Sequence, residues 1–188
     1  GVSGGNDLVT WVSDDLTATS PDGSGQAVIG SVVDVTAQSA GPEFTINQTT
    51  IGTQSAPVST TLADGRALVV YFDDSRVDDA GTVFGRVINP DGTFSTAEFA
   101  IGTSGVEGAQ EYDSLPLSLA VLGSGNVLVS WQADDTVLAD GDGTTVVASV
   151  FNPSTTTPSA EFVINTSGTG SQSGPVTLGL SDGRAVVV

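Results

Sequence analysis

The feature that most constrains this chain is a pattern that returns about every sixty residues. Gly65 to Asp74 reads GRALVVYFDD, Gly125 to Asp135 reads GNVLVSWQADD, and Gly5 to Asp15 reads GNDLVTWVSDD. Each copy is a glycine turn, an apolar run, an aromatic residue and a pair of aspartates. Trp11, Tyr71 and Trp131 are spaced by sixty residues, and Pro57, Pro116 and Pro175 by fifty-nine. A fourth copy begins at Gly183 as GRAVVV. Self-similarity at a fixed period identifies an array of repeats, each one supersecondary unit that buries its apolar face against its neighbours.

Within the period, short β-branched runs alternate with Asp-Gly and Asn-Pro turns, and no segment carries a sustained helical period. Each repeat is expected to supply four strands, a to d. Strand a is read at Pro57 to Leu62, Pro116 to Leu122 and Pro175 to Leu180, and strand b is the apolar run itself. Strand c falls at Ala27 to Asp34, Thr82 to Asn89 and Thr145 to Asn152. Strand d falls at Glu43 to Ile46, Glu98 to Ile101 and Glu161 to Ile164. Strand b is continuous in its apolar character, as in Leu68-Val69-Val70-Tyr71-Phe72, which predicts cover on both faces. The repeats divide the chain at 1–56, 57–115, 116–174 and 175–188. The fold class is all-β, and four antiparallel strands in about sixty residues match the size of a β-propeller blade. A stacked β-sandwich or open repeat array is the alternative, while an immunoglobulin-like sandwich needs about 100 residues.

Composition narrows the partners. The 22 acidic residues face four basic ones, Arg66, Arg86, Arg76 and Arg184, with no Lys or His, for a net charge of −18. Such a field repels nucleic acid and anionic membrane and attracts cations. A hydrophobic content of 38% excludes a disordered polyanion. No apolar run approaches the roughly 20 residues that span a bilayer. Cys is absent, which excludes disulfides and thiolate metal sites. Met is absent too, so Gly1 is not expected to be a translation start, and the chain reads as a processed product or a segment of something longer.

Several elements recur together: the EF-x-IN strand, Gln followed by Pro, a Leu-x-Asp-Gly turn, an apolar run with its aromatic residue, and an acidic hairpin containing Gly. They are seen in Glu161 to Val188, Glu43 to Asp74 and Asp22 to Asp34. This pattern resembles the propeller-like repeats of large acidic proteins secreted by bacteria, the RTX-type adhesins and hemolysin-type calcium-binding proteins. The resemblance implies an exported module, extracellular or at the cell surface, with adhesion or surface assembly as its context. Its partners would be other repeats or subunits of the same assembly, or surface glycans. Two departures stand out: Gln110 lies six residues before Pro116 where Gln54 lies three before Pro57, and Ala148 stands where Gly30 and Gly85 do. The nonapeptide G-G-x-G-x-D is not present, so its calcium sites are not carried over.

The candidate chemistry sits in the loop between strands b and c. The loop holds Asp14, Asp15 and Asp22 in the first repeat and Asp73, Asp74, Asp78 and Asp79 in the second; the third has Asp134, Asp135, Asp140 and Asp142. Gly25, Gly81 and Gly143 follow these groups. Ca²⁺ takes several carboxylate and carbonyl oxygens, and a turn rich in Asp and Gly can wrap around it. The competing reading is that Asp and Gly form turns on a solvated loop tip. The aromatic residues would stack on sugars if they lined a groove, as in a lectin-like propeller, or pack between sheets at the end of a buried strand. Asn47 and Asn165 fit glycosylation sequons but also suit the end of a strand. Arg66 and Arg184 are expected to pair with acidic loops of adjacent repeats. With no His and no Cys, the usual bases and nucleophilic dyads are missing. Aspartates that repeat in every copy read as structural, so no enzyme is expected; the remaining enzymatic reading, a propeller glycosidase, has only paired carboxylates behind it.

Overall fold

In a computed structural model of the chain, the apolar run of the second repeat forms a strand with every residue buried, Ala67–Asp73. The structure describes residues 6–14, 25–74, 82–103, 117–134, 143–166 and 169–188. Among these are strands and turns and no helix. In chain order the strands are β1 (Asn6–Asp14), β2 (Gln26–Asp34), β3 (Ser39–Ala40), β4 (Phe44–Thr45), β5 (Gln54–Thr61), β6 (Ala67–Asp73), β7 (Thr82–Ile88) and β8 (Phe99–Gly102). There follow β9 (Ser118–Val121), β10 (Val127–Asp134), β11 (Thr144–Asn152), β12 (Thr157–Pro158), β13 (Phe162–Val163), β14 (Thr177–Gly179) and β15 (Ala185–Val187).

These strands make four antiparallel sheets, one per repeat, and none closes into a barrel. The second sheet runs β5-β6-β7-β8, each strand pairing with the next in sequence. The third runs β9-β10-β11, with β12 and β13 both on the outer edge of β11. The first has β1-β2 with β3 and β4 on β2, and the fourth is the hairpin β14-β15. Strands a to d are therefore present in the expected order. The pairs β3 and β12 add short strands in the c to d turn, where the sequence reads only as turn. Strand a of the second repeat starts earlier than expected, at Gln54. It carries a bulge between Ser55 and Val58, which accommodates Pro57 without a ladder N–H.

The a to b hairpins close in one way. Gly65, Gly125 and Gly183 have φ of 85°, 84° and 88°. Their N–H groups donate to Leu62, Leu122 and Leu180 carbonyls at 3.0, 2.8 and 3.1 Å. That backbone conformation is cheapest for glycine, which explains its fixed place ahead of each apolar run.

Strand alternation then divides each b strand between two cores. Val69 and Tyr71 of β6 pack with Val28, Ile46, Leu8 and Phe44 of the first sheet. Leu68, Val70 and Phe72 pack the other way, with Val127, Val129, Trp131 and Phe151 of the third. The sheets thus stack face to face, and the first strands lie side by side, β5 against β1 and β9, and β14 against β9. Phe99 of β8 stacks on Phe151 of β11 across the second junction, with centroids 5.0 Å apart and planes within 9°.

Trp131 and Tyr71 are both fully buried against the preceding sheet. One difference in their surroundings lies at the end of strand d. The strand-d position after the Ile is Asn47 in the first repeat and Asn165 in the third but Gly102 in the second. A Cβ at Gly102 would come within 2.6 Å of Trp131 Cη2, so the larger ring of Trp131 occupies the space a side chain would take. Gly102→Ala is therefore expected to cost about 1–3 kcal/mol in equilibrium urea unfolding. In a Trp131→Tyr background, where the ring is shorter, the same substitution should cost much less. An equal loss in both backgrounds would contradict this packing.

Candidate functional site

The described aspartates of the b to c loops stand at the loop mouths, where strand b ends. Asp14 closes β1 and accepts from Gln26 Nε2 at 3.2 Å across the hairpin. Asp134 closes β10 opposite Thr144. Asp73 closes β6 and is wholly buried, with Oδ1 3.3 Å from Gln54 Nε2. Asp74 faces the segment that links the first sheet to the second: its N–H donates to the Thr53 carbonyl at 3.1 Å, and its Oδ1 accepts from the Thr53 N–H. Asp15, Asp22, Asp78, Asp79, Asp135, Asp140 and Asp142 lie outside the described residues. Among the described residues, no three or more His, Cys, Asp or Glu side chains converge as a metal centre would require.

The glycine that follows the loop also has a packing role. Gly25 and Gly143 have φ of 67° and 82°, and the crossover to the next sheet runs directly over each. A Cβ on Gly143 would lie 2.6 Å from Ser171 Oγ, and one on Gly25 would meet the Gly52 carbonyl oxygen. Turn and crossover are pressed together there, which accounts for the recurrence of Gly without a ligand.

The crossovers are held by a pair of amides. Asn47 Oδ1 accepts from the Val28 N–H at 2.9 Å, and its Nδ2 donates to Gln54 Oε1 at 3.0 Å and to the Thr49 carbonyl at 2.8 Å. Gln54 Nε2 then donates to the Ile51 carbonyl at 3.0 Å. The third repeat repeats this arrangement. Asn165 Oδ1 accepts from the Val146 N–H at 2.8 Å, its Nδ2 donates to Gln172 Oε1 at 3.0 Å, and Gln172 Nε2 reaches the Gly170 carbonyl at 2.7 Å. Each amide pair joins residues seven positions apart in the crossover that follows strand d. Asn47 is 4% exposed, which removes it as a glycosylation acceptor.

A second device joins neighbouring repeats through the Glu of the EF-x-I strand. Glu98 Oε2 accepts from the Gln48 and Thr49 N–H groups at 2.7 and 2.9 Å, and the Glu98 N–H returns a bond to Gln48 Oε1 at 3.3 Å. One repeat later, Glu161 Oε1 accepts from the Thr103 N–H and from Thr103 Oγ1 at 3.3 Å. In both places the carboxylate satisfies backbone donors just beyond strand d of the preceding sheet. Arg86 makes a third link: its Nη1 donates to the Ile46 carbonyl at 2.6 Å and its guanidinium lies 3.4 Å from the Phe94 ring centroid. Burial holds the Arg86 pKa below its ordinary value. Tyr71 is close to Glu98 and Arg86; burial, reinforced by the Glu98 and Asp73 charges, raises its pKa far above that of a free tyrosine.

Among the described residues, the arginines of the a to b turns pair within their own turns and not with acidic loops of adjacent repeats. Arg66 Nη2 pairs with Asp64 Oδ2 at 2.7 Å and Arg184 Nη2 with Asp182 Oδ2 at 2.6 Å, each within its own turn. The short Asp-Gly-Arg loop decides this, because Asp64 and Asp182 already accept from the backbone N–H two residues on, at 3.1 Å in both cases. These ion pairs lower the pKa of both aspartates. Arg66 Nη2 also donates to the Pro153 carbonyl of the third repeat, at 3.4 Å.

Two grooves mark the junctions. One of 290 Å³ runs beside the Glu98 contact and is bounded by Gln48, Thr49, Phe84 and Ala97. The other, of 420 Å³, lies between the third and fourth sheets against Ile164, Asn165, Gln172, Val187 and Val188. The first holds one carboxylate, already bonded to backbone N–H groups, and the second holds amides and aliphatic side chains. Neither brings a base and a nucleophile together.

If the amide pair supports the crossover, Asn47→Ala leaves the buried Val28 N–H and the Gln54 amide without these bonds. The expected cost is about 1–3 kcal/mol, read as a lowered urea midpoint with an unchanged slope. Asn165→Ala should cost less, because Gln172 is more open to water. A cost at Asn47 no larger than that of a surface substitution would contradict the role.

No family model matches the chain, and neither a curated protein nor a solved structure matches it at a significant level.

Proposed function

We propose that this chain is a non-enzymatic structural or adhesive repeat module of a secreted or cell-surface bacterial protein, its four sheets arranged as propeller-like blades and its acidic loops stabilised by calcium. The observation that carries the scaffold reading is the sameness of the junctions. Glu98 and Glu161 engage the segment beyond the preceding strand d in the same way, and the Asn–Gln pair recurs at two crossovers. Recurring polar residues that bond to the chain's own backbone build a scaffold, whereas a catalytic centre needs groups that differ from their counterparts in other repeats. Stacked antiparallel sheets with their first strands side by side are consistent with blades around an axis. Tyr71 and Trp131 are spent on packing, which leaves them unable to stack on a sugar as a lectin-like site would require.

The calcium component rests on the charge of −18 and on aspartates at the same loop in each repeat. Carboxylates brought close together repel one another, and a hard cation relieves this while ordering the turn. Calcium binding should therefore appear as stabilisation. At a concentration about 100-fold above Kd, it should raise the melting temperature by roughly 5–10 °C, reversibly on chelation. Replacing Asp134, Asp140 and Asp142 with Asn should reduce the shift. Melting curves that coincide with calcium and with chelator would remove the metal from the account, and saturable binding to a glycan array would favour a carbohydrate-binding module over a scaffold.

A further inference from the structure

We propose that the sheets carry markers that fix their stacking order, so that each back face fits only the front face ahead of it. The markers are a matched pair at each junction between described sheets, Asn47 with Tyr71 and Gly102 with Trp131, and Arg86 at the first junction alone. The proposal rests on the scaffold reading and names what each sheet accepts as its neighbour.

The need arises because the faces are otherwise alike. Tyr71 shares a core with Val28 and Ile46 of the first sheet, and Trp131 shares one with Val83 and Ile101 of the second, the same positions one repeat on. Phe44 and Phe99 likewise occupy one place in strand d. Faces this similar invite misassembly, in which a sheet stacks on the wrong neighbour or on a sheet of a second copy. Discrimination among them requires contacts that a wrong neighbour lacks or clashes that it meets.

Both are present. At the second junction Trp131 lies over Gly102, where a Cβ would come within 2.6 Å of Cη2. At the first, the same place is held by the buried Asn47 side chain, bonded to the Val28 N–H at 2.9 Å and to Gln54 Oε1 at 3.0 Å. An indole arriving there would displace that amide pair, whereas a tyrosine over Gly102 would leave a gap. The amides go together along the chain: Gln54 and Gln172 stand three residues before Pro57 and Pro175, but Asp113 stands three before Pro116, in the crossover that follows Gly102.

Arg86 supplies a contact that its counterparts lack. Opposite Val9, Val69 and Val129 stand Ser31, Arg86 and Ser149. The serines donate to the Gly41 and Ser159 carbonyls of their own repeats at 3.1 and 3.0 Å, while Arg86 Nη1 crosses to the Ile46 carbonyl of the first sheet at 2.6 Å. The strand-d Phe also meets a different ring at each junction. Phe44 meets Phe94 edge-on, with planes at 79°, and Phe99 stacks flat on Phe151. The third sheet on the front of the first would therefore set Trp131 against Asn47 and bring Ser149 where Arg86 donates.

Urea unfolding of exchange variants of the whole chain tests the matching, because the full exchange keeps the wild-type composition. Tyr71→Trp with Trp131→Tyr mismatches both junctions and should lower the midpoint by about 1–2 M. Adding Asn47→Gly and Gly102→Asn matches them again and should recover more than half of that loss. A full exchange no more stable than the aromatic exchange alone overturns the proposal. If circular dichroism shows the aromatic exchange unfolded, Gly102→Asn alone and with Trp131→Tyr carry the same test at one junction. The pair should have the higher midpoint, and an equal or lower one overturns the matching. Stacking order is read by refolding at high protein concentration, followed by size-exclusion chromatography. Gly102→Asn, Trp131→Tyr and Arg86→Ser together make the two junctions alike, and this variant should yield several-fold more sheet-exchanged dimer than the wild type. An equal yield overturns the claim that these residues set the order. Failure of either test leaves the scaffold reading standing, since that reading falls separately, on glycan binding.

Discussion

The structure depends on burying one strand from both sides. β6 has no free face: Leu68, Val70 and Phe72 belong to one core, and Val69 and Tyr71 to another. A strand in a two-layer sandwich would offer one apolar and one polar face. Here neither core exists without β6, and neither neighbouring sheet buries its own apolar side chains without it. Cooperation between repeats is therefore a packing consequence, as nearest-neighbour coupling is in other repeat arrays. Roughly 1.5–3 kcal/mol accompanies burial of each large apolar side chain, so the two junctions outweigh any one surface ion pair in the molecule.

Polar groups then determine how the sheets sit. Crossovers must leave strand d of one sheet and enter strand a of the next, which strips backbone N–H and C=O groups of ladder partners. Asn47 with Gln54, and Asn165 with Gln172, answer that need inside a repeat; Glu98 and Glu161 answer it between repeats. The second crossover departs from this scheme at its start. Gly102 replaces the Asn, and Trp131 fills the room, so an aromatic ring takes the volume that an amide occupies elsewhere. This division of labour supports the scaffold reading proposed above, since the Asn, Gln, Glu and aromatic residues that recur in the described structure serve packing or backbone satisfaction.

Much of this was legible in the sequence, and the rest was hidden for physical reasons. Periodicity located strands b and c nearly to the residue, because a continuous apolar run between Gly and Asp has few alternatives to a doubly covered strand. The burial of Tyr71 and Trp131 agrees with one of the two readings of that run, packing between sheets. The roles of Asn47 and Glu98 were not legible, although both stand in the recurring EF-x-I pattern, because Asn and Glu at a strand end read equally well as turn residues or solvated charge. Most of their bonds go to backbone atoms, which carry no sequence signal. Asp73 was misleading in another way: an acidic residue after an apolar run suggests solvent, yet it lies buried beside Gln54. Arg66 and Arg184 looked available to neighbouring repeats, but a two-residue reach to Asp64 and Asp182 holds them in their own turns.

The central claim is that the sheets stand or fall together through a doubly buried strand, and native-state amide hydrogen exchange tests it most directly. Amides of β6 should exchange only through global unfolding, with protection matching the unfolding free energy from urea, while those of β14 and β15 exchange through local opening. Exchange from β6 as fast as that from β15 would contradict the account, because it would mean that a single sheet can open without its neighbours.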